Sequence, residues 1–364
     1  MKKIDGVIKD WGERTDYGRV KGRKGKNIVG GRYSKPAPTK APAGRDKLVS
    51  TVRKAPEVMV KITTGRKDPN TGKPRPIMTD MRSIKDHLDY ISRNGDVELE
   101  DENGHIQAGK EDVRTVRNAW ADDGSIPYEN GKRREAFNIV LSMPPGTDRA
   151  SVKNAAREFA TELFNNHQYV FAAHEDEKHP HVHISVKAAD KDGIRLNPRK
   201  NDLQRWREIF AEKLREQGIE ANATPRKVRG VVKKAEKQAV RHIDQEHVIG
   251  RRKSSSRVSA SQLEAAEREA NGERKHVNPA EAKIVEQRKQ VQHDFGTVAR
   301  TLAAGDKDDK TLAVEIVRFV QHMPPVRTRH AEQVEALQRS SVQSGQTIDR
   351  TPEKGRGENK DRDR

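Results

Sequence analysis

The sequence contains no cysteine, and this absence removes several kinds of structural and catalytic site. Disulfides, iron–sulfur clusters and thiolate zinc sites all require cysteine sulfur, so none of them can form here, and the absence fits a reducing cytoplasm. No run approaches the ~18 apolar residues that a membrane span needs. The N-terminus, MKKIDGVIKDW, lacks the apolar segment of a signal peptide. We therefore expect neither a membrane span nor a leader.

Hydrophobic residues are scarce, at 32% of the 364 residues, and aromatic residues make up only 4%. Globular chains reach about 45–50% apolar residues when glycine is counted, so part of this chain is expected to lie outside a packed core. Lysine and arginine number 73 against 55 acidic residues, which gives a net charge of +18. Such an excess favours a polyanionic partner, most simply nucleic acid.

The aromatic residues indicate where the core lies. Ten of the fifteen fall within 57–230, which predicts one globular domain there. Residues 1–56 carry sixteen lysines and arginines among glycine and proline, a composition typical of a disordered basic arm. Residues 231–345 predict a charged, partly helical region. The final stretch, 346–364, is predicted to be a disordered tail.

The hydrophobic periodicity of the central domain alternates between strand and helix. Strands are predicted at 56–64, 136–143, 168–174 and 181–188, and helices at 81–93, 149–165 and 202–217. The first of these helices can begin at Asp80 as its N-cap. The order predicts an α+β fold with an antiparallel-rich central sheet, helices on one face and the other face free for chemistry.

Four histidines fall within ten residues, in the segment H-E-D-E-K-H-P-H-V-H at 174–183. Alternate side chains of a strand share a face, so His181 and His183 point the same way. The short connection makes the two strands antiparallel neighbours, which brings His174 opposite that pair. Three imidazoles on one face predict a facial metal site with open positions for a substrate. A solvent-exposed hairpin that happens to be rich in histidine is the alternative.

Two further residues of this segment have predicted supporting roles. His179 precedes Pro180 and is expected at the strand entry rather than as a direct ligand. Asp176 is a candidate acceptor that would orient a ligand imidazole, unless it is simply solvated. Without an H-E-x-x-H helix a zincin-type protease does not fit. On a basic protein the site suggests a divalent cation, Mg²⁺ or Mn²⁺ before other ions, acting on a phosphodiester.

The histidine segment resembles the third motif of conjugative relaxases, a branch of the HUH single-strand endonucleases, and looks closest to their MobP-type mobilisation proteins. The segment LDYISRNGDVELEDENG at 88–104 is similar to the first motif of that family, L-x-Y-L-[ST]-R-x-G. FNIVLSMPPGTD at 137–148 is similar to the second motif, and 193–230 resembles the downstream region. The family often has an asparagine where this chain has Lys187, which leaves the corresponding contact open.

The resemblance implies a tyrosine transesterase. Tyr90 would be the nucleophile, and its attack on origin-of-transfer DNA would leave a 5′-phosphotyrosine and a free 3′-hydroxyl. The residues add that Tyr90 lies off the apolar stripe of Ile84, Leu88 and Ile91 and could point outward, although an ordinary half-buried tyrosine is the alternative. His87, one helical turn earlier, is a candidate proton acceptor.

Several residues are candidates for contact with DNA. Ser142 shares a strand face with Asn138, opposite Phe137, and is predicted to face the site. The basic candidates are Lys187, Arg195, Arg199, Lys200 and Arg205. Trp206 could stack on a base, although a place in the core is favoured.

The resemblance also implies partners and a location. These are single-stranded and duplex origin DNA, an accessory nicking protein, and a type IV coupling protein or secretion channel. The protein would work in the bacterial cytoplasm and could leave with the transferred strand. Two alternatives stay open: a HUH replication initiator or transposase, whose tyrosine usually follows the histidine motif, and a non-enzymatic basic nucleic-acid-binding protein.

Overall fold

The computed structural model describes residues 2–15, 44–65, 77–122, 124–233, 236–237, 240–241, 243–244, 256–273 and 278–343. Its strands are β1 (Met59–Ile62), β2 (Leu99–Asp101), β3 (Ile106–Gln107), β4 (Ala136–Ser142), β5 (Tyr169–His174) and β6 (His181–Lys187). Its helices are α1 (Lys2–Thr15), α2 (Gly44–Val52), α3 (Met81–Ile91), α4 (Lys110–Ala121), α5 (Arg149–Phe164), α6 (Lys200–Glu216), α7 (Arg257–Ala270), α8 (Glu281–Leu302), α9 (Lys307–Gln321) and α10 (Arg329–Gln343). The predicted tail at 346–364 lies outside the described residues.

The six strands form one sheet in the order β1-β4-β6-β5-β2-β3, and every neighbouring pair is antiparallel. The hairpin of β5 and β6 places His174 opposite His181. On the other side of β6, strand β4 places Ser142 opposite the same histidine. The predicted α+β class with an antiparallel sheet is therefore confirmed.

One face of the sheet packs against α5 and α6 around a cluster of buried aromatic rings. The ring of Phe159 lies 6.4 Å from that of Trp206 and 6.1 Å from that of Phe210, measured between centroids. The side chains of β6 that face this cluster are Val182, Ile184 and Val186. Their alternation puts the intervening histidines on the opposite face, as the sequence pattern predicts. Trp206 is buried, so its favoured place in the core is confirmed.

The opposite face also carries helices, which corrects the expectation that it would be free. Helices α3 and α4 pack there, with Leu88 and Trp120 buried against Ala172 of β5. The segment between 95 and 135, to which the sequence pattern assigned no element, supplies β2, β3 and α4. Apolar residues at helical spacing in α4, Val113, Val116 and Trp120, drive its packing. The part of the face that carries the histidines is thus bordered by α3.

Two helices occupy the segment predicted as a disordered arm. In α1, Trp11 is buried, and its ring centroid lies 5.3 Å from that of Phe295, which lies 5.3 Å from that of Phe319. In α2, Leu48 is fully buried. The prediction is wrong for these stretches because their few apolar side chains are spaced to bury one helix face. The rest of the arm, 16–43, lies outside the described residues.

The chain divides into two compact units, of which the first comprises residues 1–229 and 292–322. The second comprises residues 230–291 and 323–364. Within the second unit, α7 and α10 pack against each other. The Nε2 atom of His330 lies 2.7 Å from the Oε2 atom of Glu269 across that pair. These helices agree with the predicted partly helical character of 231–345. None of the described helices has an apolar stretch long enough to cross a bilayer.

Candidate metal and tyrosine site

The imidazoles of His174, His181 and His183 converge on one face of the β5–β6 hairpin. The distances between ring centroids are 5.0 Å for His174 and His181, 4.8 Å for His174 and His183, and 5.2 Å for His181 and His183. Each ring offers one nitrogen as a possible ligand atom, and these three atoms lie within 4.8 Å of one another. Three nitrogen ligands at such spacing could hold a divalent metal ion and leave positions open for a substrate.

Antiparallel pairing and the hairpin loop produce this convergence. Register places His174 directly opposite His181, and alternation places His183 on the same face. Arg149, at the start of α5, fixes the loop by donating hydrogen bonds to the carbonyl oxygens of His174 at 3.1 Å and Glu177 at 2.5 Å. The loop between β5 and β6 is therefore held at the point where β5 ends, at His174.

The second nitrogen of each ring is hydrogen-bonded to an oxygen of the protein. The Nε2 atom of His174 donates to the carbonyl oxygen of Ile91 at 2.7 Å. The Nδ1 atom of His181 donates to the carbonyl oxygen of His179 at 3.0 Å, and that of His183 to the Oδ1 atom of Asn138 at 3.3 Å. Outer contacts of this kind fix the tautomer and direct the remaining nitrogen toward a metal. The donor set therefore fits a bound divalent cation.

Burial keeps two of these rings neutral at physiological pH. It lowers the pKa of His183 to about 3, helped by the neighbouring imidazoles of His174 and His181. The pKa of His174 is also lowered, again chiefly by burial. A neutral imidazole has the lone pair that metal coordination requires.

Tyr90 stands beside the three imidazoles. The centroid of its ring lies 5.9 Å from that of His183 and 6.5 Å from that of His174. Its side chain is 54% exposed, whereas Ile91, the next residue of α3, is fully buried. The predicted outward position off the apolar stripe is therefore observed.

Arg93 also enters the site, and the sequence pattern did not single it out. Its guanidinium carbon lies 5.2 Å from the centroid of the Tyr90 ring. One guanidinium nitrogen lies 2.6 Å from the Oδ2 atom of Asp176 and 3.4 Å from the Nδ1 atom of His174. The sequence feature that could have identified Arg93 is the segment S-R-N-G directly after α3, which predicts a turn next to the helix that carries Tyr90.

Of the two residues with predicted supporting roles, His179 lies just before β6 and outside the three converging rings, as expected, whereas Asp176 has a different partner than expected. Asp176 accepts from Arg93 and not from a ligand imidazole. His179 contributes its carbonyl oxygen to His181, while its ring lies 3.4 Å from the carbonyl oxygen of Met143. Both residues therefore border the site without joining the three converging rings.

His87 and Ser142 lie at the edges of the same face. The ring centroid of His87 is 6.3 Å from that of Tyr90, and burial lowers its pKa to about 4, although a hydrogen bond with Asn138 opposes that shift. Ser142 is buried opposite His181 in the register. Its hydroxyl donates to the carbonyl oxygen of Met143 at 3.4 Å.

The structure does not bring the predicted basic residues together with the histidines. Lys187 ends β6, about 13 Å along the strand from His183 at ~3.3 Å per residue. Arg195 is committed to Glu135, with 2.8 Å between the Nη1 and Oε2 atoms. The other three, Arg199, Lys200 and Arg205, lie at or in α6, which packs on the opposite face of the sheet.

Paired histidines on an antiparallel sheet that face a tyrosine are the arrangement expected of an endonuclease domain of the HUH type. Comparison with protein families gives a match to one group of nucleases. Residues 90–219 match the model of the MobA/VirD2-like relaxase nuclease domain. This part of the chain is therefore similar to a relaxase nuclease domain.

Individual relatives point the same way. The chain is 28% identical over 172 residues to the T-DNA border endonuclease VirD2 of Rhizobium radiobacter, which covers 42% of this chain and 41% of that protein. It is 28% identical over 169 residues to the protein of the same name from Rhizobium rhizogenes, with 42% and 39% covered. The chain thus matches about two fifths of the length of these relatives. No solved structure matches it significantly.

Proposed function

We propose that this chain is a relaxase that nicks single-stranded DNA at an origin of transfer. Tyr90 is the nucleophile, and His174, His181 and His183 hold a divalent cation beside it. The observation that carries the proposal is the approach of the Tyr90 ring to two imidazoles of the metal-binding set, at 5.9 and 6.5 Å between centroids. The relatives named as T-DNA border endonucleases support a DNA strand as the substrate.

The reaction exchanges one phosphodiester bond for another. The phenolic oxygen of Tyr90 attacks the scissile phosphorus, and the bond from phosphorus to the 3′ oxygen of the preceding nucleotide breaks. Tyr90 is left esterified to the 5′ phosphate, the phenolic proton passes to solvent, and the 3′ oxygen takes up a proton. Because no bond energy is lost to hydrolysis, the 3′-hydroxyl can attack the phosphotyrosine and rejoin the strand.

A divalent cation, when bound, would polarise a non-bridging phosphate oxygen and offset the charge that develops in the transition state. Nitrogen ligands suit Mn²⁺ better than Mg²⁺, so Mn²⁺ is the proposed ion of the two. Hydrogen bonds to Ile91, His179 and Asn138 hold the three imidazole rings in place. Coordination of an ion would therefore require little rearrangement of the rings.

His87 is a poor acceptor for the phenolic proton. Its pKa of about 4 lies far below that of an ordinary phenol, near 10, which makes direct transfer strongly unfavourable. Tyr90 is instead half-exposed, so water can take the proton. We assign His87 to the support of Asn138, which in turn orients His183.

The remaining parts of the proposal concern partners and location. From the family resemblance we propose two partners: an accessory nicking protein, and a type IV coupling protein or secretion channel. We also propose that the protein works in the bacterial cytoplasm before it is exported with the strand. The net charge of +18 supports salt-sensitive binding to DNA in general. Ser142, opposite His181, is proposed to contact DNA near the cut.

Capture of a covalent adduct tests the nucleophile. The full chain is incubated with Mn²⁺ and a pool of single-stranded oligonucleotides that have a randomised centre and fixed ends. We expect a band on a denaturing gel that contains both protein and DNA, and sequencing the bound strands gives the origin. Tyr90→Phe should abolish the band, whereas Tyr128→Phe, at another exposed tyrosine, should leave it unchanged. An adduct that persists in Tyr90→Phe would show that the nucleophile is wrong.

The two alternative functions predict other results. A replication initiator or transposase would use the same chemistry on a different target, and the position of Tyr90 before the histidines in the chain favours the relaxase. A non-enzymatic nucleic-acid-binding protein would give no adduct with any oligonucleotide. It would also have no need for three converging imidazoles beside a tyrosine.

A further inference from the structure

Arg93 leaves helix α3 through an unusual turn. Arg93, Asn94 and Gly95 have φ angles of 51°, 58° and 98°, so three successive residues adopt the left-handed region. A non-glycine residue in that region is strained. Gly95 cannot be replaced without a clash, because a Cβ atom there would lie 2.5 Å from the carbonyl carbon of Gly109. The turn therefore holds a strained arginine next to the tyrosine helix.

The strained conformation places a positive charge between the tyrosine and a metal-ligand candidate. The guanidinium lies over the Tyr90 ring, and one of its nitrogens lies within 3.4 Å of His174. Its carboxylate partner is Asp176, whose side chain is 55% exposed. Exposed ion pairs contribute little to stability, so another anion can replace Asp176 at little cost.

We propose that Arg93 binds the scissile phosphate of the DNA strand and that Asp176 holds the guanidinium in place until the strand arrives. The planar guanidinium can donate two parallel hydrogen bonds to phosphate oxygens, which an ammonium cannot do. At this position it would also offset negative charge as Tyr90 attacks, while it donates no proton and forms no bond to phosphorus. The inference rests on the proposed nicking function.

Binding to a neutral phosphate analogue tests this role. The probe is the strand recovered from the adduct experiment, made with an ordinary phosphate or an uncharged methylphosphonate at the cut position. Binding is measured in the Tyr90→Phe background with EDTA, so that neither cleavage nor a metal contributes. The methylphosphonate should bind the chain about tenfold more weakly than the phosphate. Once Arg93→Gln is added, the two probes should bind within about twofold of each other.

Further variants separate a phosphate contact from a general effect of charge. Arg82→Gln removes an exposed arginine of α3 that pairs with Glu129 and should keep the full discrimination between the two probes. Arg93→Lys should recover part of it, because it restores the charge without the planar geometry. Circular dichroism and thermal melting check that each variant is folded. Equal discrimination by the chains with and without Arg93→Gln would overturn the proposal.

A double-mutant cycle tests the part assigned to Asp176. Asp176→Asn should strengthen binding of the phosphate probe about threefold when Arg93 is present and should have no effect together with Arg93→Gln. An equal gain in both backgrounds would mean that Asp176 acts only by repelling DNA, which contradicts the holding role. If the unmodified chain forms no adduct at all, the proposed function fails and this inference fails with it. An adduct with no dependence on Arg93 overturns the inference alone.

Discussion

The ring of His174 is hydrogen-bonded to the backbone of Ile91, with 2.7 Å between its Nε2 atom and the carbonyl oxygen. Ile91 directly follows Tyr90 and is fully buried, so the last turn of α3 is fixed both to the core and to a metal-ligand candidate. The position of the proposed nucleophile and the orientation of that ligand are therefore coupled. A shift of α3 would disturb both at once.

Removal of one ligand should weaken metal binding strongly. In the proposed site three imidazoles would share the ion, so His181→Ala, at the least buried of them, should lower Mn²⁺ affinity about 100-fold in calorimetric titrations of the full chain. The matched control is His179→Ala, because His179 contributes its carbonyl oxygen and not its ring to the site. That variant should stay within about threefold of the unmodified chain. Similar losses in both variants would argue against the assigned ligand set.

Asn138 should contribute to metal affinity because it orients one of the candidate ligands. Its Oδ1 atom orients His183, and its Nδ2 atom donates to the hydroxyl of Thr63 at 2.9 Å. Asn138→Ala should reduce Mn²⁺ affinity about 10–100-fold through misorientation of the ring. Thr63→Val removes the outer hydrogen bond alone and should have a smaller effect on affinity. An unchanged affinity in Asn138→Ala would contradict the orienting role.

The free energy of unfolding of the metal-free chain should decrease as the pH falls below about 6.5. Burial lowers the pKa of His87 to about 4 and that of His183 to about 3, so the unfolded chain binds protons that the folded chain does not. The two imidazoles therefore stabilise the folded chain fully above about pH 6.5, their pKa in the unfolded chain. This contribution is lost as the pH falls toward their pKa values in the folded chain, with a slope of at most about 1.4 kcal/mol per pH unit for each imidazole.

Glu57 has the opposite effect on the pH dependence of stability over part of this pH range. Burial raises its pKa to about 7 in spite of the nearby Arg229, so its contribution is present at low pH and is lost as the pH rises through about 7. Urea denaturation in EDTA near pH 7 and pH 5.5 should therefore use Glu57→Gln as the background. His183→Gln in that background should reduce the slope. A slope that stays the same would mean that His183 does not titrate as inferred.

The sequence pattern predicted the histidine site because strand geometry is local. Alternation fixes which side chains share a face, and a short hairpin fixes which strands pair, so His174, His181 and His183 could be placed together from spacing alone. Four strands and three helices of the central domain were predictable from their periodicity as well, namely β1, β4, β5, β6, α3, α5 and α6.

The features that the pattern did not predict depend on long-range packing or on backbone conformation. Helix α4 has only three buried apolar residues, and its place against the sheet depends on α3. Trp11 is buried because Phe295, far along the chain, lies next to it. Arg93 comes close to Tyr90 through positive φ angles, which no hydrophobic pattern encodes.

Arg93 should also compete with a metal ion at His174. Its guanidinium lies 3.4 Å from the Nδ1 atom, the nitrogen that the hydrogen bond to Ile91 leaves available for a ligand bond. Two positive charges so close repel each other, so Arg93→Gln should raise Mn²⁺ affinity about threefold to tenfold in the absence of DNA. Arg82→Gln, in the first turn of α3, removes an arginine that pairs with Glu129 and should leave the affinity unchanged. A weaker affinity in Arg93→Gln would show that the arginine supports the ligand geometry.

The turn after α3 should require glycine at position 95 because of a close backbone contact, and not only because of the positive φ angle there. Gly95 and Gly104 have similar positive φ angles, 98° and 82°, so alanine meets a comparable backbone penalty of about 1 kcal/mol at either position. A Cβ atom at Gly104 meets nothing within 4 Å, whereas one at Gly95 lies 2.5 Å from the backbone of Gly109. Gly95→Ala should therefore lower the free energy of unfolding by about 2 kcal/mol more than Gly104→Ala in urea denaturation. Because the clash displaces Arg93, Gly95→Ala should also abolish the discrimination between phosphate and methylphosphonate, and Gly104→Ala should keep it. Equal losses of stability in the two variants would mean that the contact with Gly109 does not fix this turn.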